Sequence, residues 1–171
     1  MLLWGTLVAL GLCAAAASGA PKLQAWTVSC TQKVYPTTLL ASQPGSAELY
    51  LARGEYEAIQ VAVRSDQDVA DCRVSIQPQG GASGTISSDW FDVFEASYVP
   101  TPADKEHKLT PDPLVPLKKR AGAYHVSLKA DETKAIWIRF HAPESGPSGR
   151  FRVRVSLEAR HRKVDLRPEL G

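Results

Sequence analysis

The sequence predicts an all-β protein, an antiparallel β-sandwich of Ig-like or jelly-roll-like type preceded by a signal peptide. Three observations carry this. Short segments alternate apolar and polar residues with period two, Gly and Pro clusters separate them, and no window carries a helical apolar stripe. The chain has 171 residues and is 44% hydrophobic, ordinary for one domain with its own core.

The elements follow in order. Residues 1–20, "MLLWGTLVALGLCAAAASGA", read as a signal peptide: an apolar stretch from Leu2 to Ala17, then small residues. The run is short for a membrane span, which needs about 20 apolar residues. This predicts a secreted or periplasmic protein whose domain occupies 21–171. "LQAWTVSCTQKV" alternates Trp26, Val28 and Cys30 with polar neighbours, and "ELYLA" places Leu49 and Leu51 together. "AIQVAVR" sets Ile59, Val61 and Val63 against Ala58, Gln60 and Ala62, and "CRVSIQP" repeats the pattern with Cys72, Val74 and Ile76. "YHVSLKA" gives Tyr124, Val126 and Leu128, and "AIWIRFHA" gives Ile136, Ile138 and Phe140 against Trp137, Arg139 and His141. "RFRVRVSLE" is the cleanest, with Phe151, Val153, Val155 and Leu157 inside and arginines outside. The tail "RKVDLRPELG" reads as a strand cut short.

Residues 100–123 break the rhythm, holding five of the twelve prolines. Missing backbone donors bar this stretch from a central strand, so it is expected as a proline-rich loop. Within it, Pro111, Asp112, Pro113, Leu114, Pro116 and Leu117 form a candidate interface surface on an extended path; packing against the domain's own sheet is the alternative.

Composition excludes several functions. A formal net charge of +2, with the "KKR" at 118–120 better explained as a solvated loop, gives no nucleic-acid footprint. Four scattered histidines and no Cys-x-x-Cys provide no metal-ligand spacing, and no cofactor motif is present. The chain contains no Asn, so N-linked glycosylation is excluded. Loss of the leader removes Cys13 and leaves Cys30 and Cys72, either as a disulfide or as two unpaired thiols in separate strands.

Hydrolytic chemistry needs paired carboxylates. Glu55 and Glu57 share a face of an extended segment, and Asp89, Asp92 and Glu95 flank "WFDVF", but neither group has a recognisable catalytic context. No Gly-x-Ser-x-Gly elbow appears. Arg53, Gly54, Glu55 and Gln60 read better as a structural corner, with Gly54 supplying a turn closed to other residues and the polar side chains holding it. Trp90, Tyr98 and Trp137 lie on strands apolar on both faces; they form either a sugar-stacking platform or core.

Three segments together resemble glycoside hydrolase family 123-like proteins. "LARGEYEAIQVAVRS" is similar to their "aRgEyEsfQ" corner, "TPDPLVPL" at 110–117 to their "yPDPLlPl" loop, and "KAIWIRFHAPESGPSGRFRVRVSLEA" at 134–159 to their "lWi" hairpin. The resemblance covers roughly residues 45–160; Arg150-Phe151-Arg152 departs from it, standing where the family often has Tyr-x-Gly. It implies an amino-terminal β-sandwich followed by a (β/α) barrel, which carries β-N-acetylgalactosaminidase-like chemistry through an Asp–Glu pair and the substrate's acetamido group. No catalytic residue carries over. The expectation is therefore a non-catalytic module, truncated before a barrel that would be its partner in cis. A free-standing carbohydrate-binding or adhesive sandwich is the alternative.

Overall fold

The computed structural model describes residues 19–40, 47–81, 84–103, 105–160 and 162–170. Most of the expected signal peptide lies outside them. Among the described residues there are eleven strands: β1 (Leu23–Ser29), β2 (Glu48–Leu49), β3 (Tyr56–Ser65), β4 (Val69–Gly81), β5 (Phe91–Pro100), β6 (Leu109–Pro116), β7 (Tyr124–Leu128), β8 (Thr133–His141), β9 (Phe151–Ala159), β10 (Arg162–Leu166) and β11 (Glu169–Leu170). The only helical piece among them is a 3-10 turn, Ser88–Trp90, capped by the Ser87 side chain.

The strands form a sandwich. One sheet has five strands in the order β1-β3-β8-β5-β6. The other runs β2-β11-β9-β4-β7, with β10 also paired to β9. Pairing is antiparallel except for the short parallel β2–β11 contact. Register follows the hydrophobic pattern: Ile59 faces Ile138 and Val61 faces Ile136 across β3–β8, while Val74 faces both Tyr124 and Leu157 in the second sheet. A slip of one residue would turn these aliphatics outward.

The core lies between the sheets. Ile136, Ile138, Phe140, Leu128 and Leu157 are fully buried there. Burial of side chains this size is worth about 1.5–3 kcal/mol each. A second, smaller core occupies the outer side of the five-stranded sheet, where Trp26, Val28, Ala62, Ala96 and Ala135 pack with Val34 from the segment after β1. That segment is pinned by Thr133, whose amide donates to Pro36 O and whose hydroxyl donates to Thr38 O.

Two expectations need correction. The proline-rich stretch 100–123 is not a loop throughout: Leu109–Pro116 is β6, the edge strand beside β5. An edge strand needs donors on one side only, so its prolines are tolerated and blunt that edge against further pairing. The tail is not one unpaired strand but two strands. It pairs with β9 as β10 and β11, and Leu166 and Leu170 are buried in the core.

Candidate functional site

The polar knot before β3 separates into two devices. Gly54 adopts φ +79°, a left-handed conformation that favours glycine. Glu55 N donates to Ala52 O at 3.1 Å, and the Glu55 carboxylate accepts from Ala52 N at 2.8 Å. Gly54 N donates to Ala142 O at 2.6 Å and Ala142 N to Glu55 O at 3.0 Å, tying the corner to the exit of β8. Arg53 and Glu55 are both exposed, and among the described residues Arg53 takes no part in holding the turn. The role expected for Arg53 therefore passes to backbone bonds. Gln60 works elsewhere. It is buried, and its Nε2 donates to Ser29 O at 2.9 Å and Gln32 O at 2.6 Å, closing the chain reversal after β1.

Trp90, Tyr98 and Trp137 do not come together as one platform. Trp90 packs edge-on to Phe151, with centroids 6.4 Å apart, at one end of the sandwich. The Tyr98 hydroxyl donates to Thr133 O at 2.7 Å, and burial pushes its phenol well above the usual range. Trp137 lies on the outer face of the five-stranded sheet, half-buried. There it joins residues outside the expected set. Register places Tyr56 beside His141, Asp92 beside Arg139, and Phe94 beside Trp137. The Tyr56 and His141 rings stack at 4.2 Å and 8°. The Arg139 guanidinium lies 5.0 Å from the Tyr56 ring centroid and 5.3 Å from that of Phe94. Asp92 Oδ2 fixes it, accepting from Nη2 at 2.7 Å and Nε at 3.2 Å. Such cation–π contacts contribute about 0.5–1 kcal/mol at exposed sites. The alternation in "AIWIRFHA" already put Trp137, Arg139 and His141 on one face. What it lacked was their cross-strand partners from β3 and β5.

Beside this ladder runs a groove of about 280 Å³. Trp137 and Gln60 line it from the sheet, Lys33 from the turn after β1, and Pro111, Asp112 and Leu114 from β6. Pro113, Leu114 and Pro116 are exposed on β6, whereas Leu117 turns in and packs against the core. The arrangement offers ring faces, one positioned guanidinium, and the Lys33 and Asp112 side chains among the groove-lining residues. Such an arrangement can stack on a flat apolar face and hydrogen-bond to polar groups at its edge.

Other reactive groups are committed. Glu95 pairs with Lys134 at 2.7 Å, and Asp92 with Arg139. The His125 ring nitrogens face Asp71 at 2.7 Å and Arg120 O at 3.2 Å. Cys30 and Cys72 are both free, so the bridge considered between them is not formed. Cys30 lies at the groove and Cys72 in the core, where burial pushes its thiol up to about 11. Among the described residues, no group of three His, Cys, Asp or Glu could hold a metal ion, and no helix is long and apolar enough to cross a membrane.

No family model matches the sequence, and no curated protein matches it. Solved structures do. A family 123 glycoside hydrolase from Clostridium perfringens, studied for glycolipid glycan hydrolysis, superposes with a TM-score of 0.65 at 13% identity, over 87% of this chain and 27% of that enzyme. AvmM, which catalyses macrocyclization in alchivemycin A biosynthesis, gives 0.43 at 9% identity over 87% and 88% of the two chains. The pilus backbone protein of Streptococcus pneumoniae gives 0.35 at 9% over 81% and 52%. Overlaps that low carry no argument. The chain thus spans about a quarter of the length of the hydrolase, and what it shares with that enzyme is a β-sandwich fold.

Proposed function

We propose that this chain is a non-catalytic β-sandwich module of an exported glycoside hydrolase-like protein, supporting or orienting a catalytic (β/α) barrel. The observation that carries the reading is the superposition on one quarter of a family 123 enzyme, together with the three ordered motifs at the corner, β6 and the β8–β9 hairpin. The exposed apolar residues Leu109, Leu114 and Val115 of β6 support it as one flank of a seam with such a barrel. The test is to sequence the genomic DNA beyond the codon for Gly171. A barrel encoded there, with an Asp–Glu pair, is the expected result. The chain alone releases no aglycone from an aryl N-acetylgalactosaminide; turnover abolished by Glu55→Gln or Glu57→Gln would overturn the non-catalytic reading. Export predicts an intact mass lacking about the first 17–20 residues.

The ring ladder favours a second reading, a free-standing carbohydrate-binding or adhesive sandwich. Stacking rings beside the Asp112 and Lys33 groups match the mixed apolar and polar faces of a sugar. Calorimetric titration with an N-acetylgalactosamine oligosaccharide separates the two: saturable binding lost on Trp137→Ala, with no barrel encoded nearby, selects the second.

A further inference from the structure

At one pole of the sandwich the two sheets part around a cavity of about 240 Å³. Its inner surface is the end of the core itself: Phe140, Phe151 and Leu170, each nearly inaccessible elsewhere. Trp90 forms one wall, set edge-on to Phe151 at 66°. Gly146 approaches that ring so closely that a Cβ there would stand 2.9 Å from it. Among the described residues lining the cavity, Arg53 alone is charged. Its backbone is held at the corner, where the amide of Gly54 is bonded to Ala142 and the carbonyl of Glu55 accepts the bond in return. Every neighbouring carboxylate bond of the corner goes to backbone, and no ion pair among the described residues engages the Arg53 guanidinium.

A pocket with apolar walls and one unpaired cation at its rim discriminates sharply. A free sugar carries hydroxyls that these walls leave unsatisfied, at a desolvation cost. A neutral hydrocarbon forgoes the guanidinium. An anion on a flat apolar body satisfies both, and the planar fork of arginine matches a carboxylate in two parallel bonds. The cavity lies just below the roughly 300–1,000 Å³ of sites for drug-sized ligands, which suits a single ring. We propose that the pole cavity is a binding site for a small aromatic carboxylate, its ring among Trp90, Phe140 and Phe151 and its carboxylate on Arg53. The site is separate from the outer-face ladder and independent of whether a barrel follows the sandwich.

The test uses the 171-residue chain, phenylacetate as probe, and two-dimensional 15N–1H correlation spectra. Phenylacetate shifts the Trp90 indole N–H and the Arg53 Nε–H saturably, with a dissociation constant of about 1 mM or tighter. Phenylacetamide, equal in shape but neutral, binds about tenfold or more weaker, the worth of one charge-assisted hydrogen bond. Arg53→Ala brings phenylacetate down to the level of the amide, and Arg53→Lys falls between. Because Arg53 is exposed, dispersed spectra of both variants confirm that they fold. Equal affinity for acid and amide, binding undiminished by Arg53→Ala, shifts confined to the Trp137 indole, or no saturable shift would each overturn the proposal.

Discussion

The two faces of the five-stranded sheet are built from the same strands and have opposite fates. The inner face presents Ile59, Val61, Val63, Ile136 and Ile138, all buried against the second sheet. The outer face is divided. Where β1, β3 and β8 begin to be covered by the segment holding Val34, it forms a second small core. Where that cover stops, Tyr56, Phe94, Trp137, Arg139 and His141 remain at the surface. The chemistry of the residues tracks this boundary. Under the cover stand uncharged groups, Trp26, Val28, three alanines and Gln60 with its amide nitrogen bonded to two carbonyls; beyond it stand rings and ions that tolerate water on one side. A strand therefore carries two alternating messages, and a distant loop decides which half of the second one becomes core.

Substitutions that cross this boundary should separate widely. Phe140→Ala is expected to cost about 3–5 kcal/mol by urea denaturation, the range for a fully buried ring with a residual cavity. Tyr56→Ala, at 56% exposure on the opposite face, should cost no more than about 1 kcal/mol, the loss of its ring contacts with Arg139 and His141. Comparable losses for the two would mean that the outer face is covered by something in solution.

Gln60→Leu probes the covered half. It leaves the Ser29 and Gln32 carbonyls without their donor, so a loss of about 1–3 kcal/mol is expected. A neutral result would show that water reaches those carbonyls and that the second core is open.

The core between the two sheets also has a pH signature. Burial raises the Cys72 thiol from 9.0 to about 11, so the native state keeps a proton that the unfolded chain releases. The stability this contributes is complete below pH 9 and is lost as pH rises through about 11. Burial of Tyr98 acts in the same direction at higher pH. Melting temperature should fall between pH 8.5 and 10.5, and Cys72→Ala should flatten that fall. A slope unchanged by the substitution would assign the alkaline loss to other groups.

The smallest effect belongs to the edge. Leu114→Asp, at 40% exposure on β6, should leave stability within about 0.5 kcal/mol and raise solubility. Leu117→Asp should not be so benign, since Leu117 packs on the core and donates its amide to Val93 O. Equal tolerance of both would restore the view of 110–117 as a loop independent of the sheet.

Alternation is a local property, so the strands carrying Ile59, Val74, Ile136 and Val153 and the sandwich class were readable from the chain alone: a period of two with one apolar face leaves few other ways to bury it. The turn at Gly54 was readable for the same reason, because its backbone conformation is set by the residue itself. Partnership is not local. Whether Pro111 to Pro116 hang free or join β5, whether Leu166 and Leu170 end in water or in the core, and which rings meet Trp137 all depend on strands distant in sequence. The Tyr56–His141 stack joins residues of β3 and β8, and the Asp92–Arg139 bond joins β5 to β8. Only the tertiary pairing sets those neighbours, because opposite cross-strand positions come within about 5 Å whatever their separation along the chain.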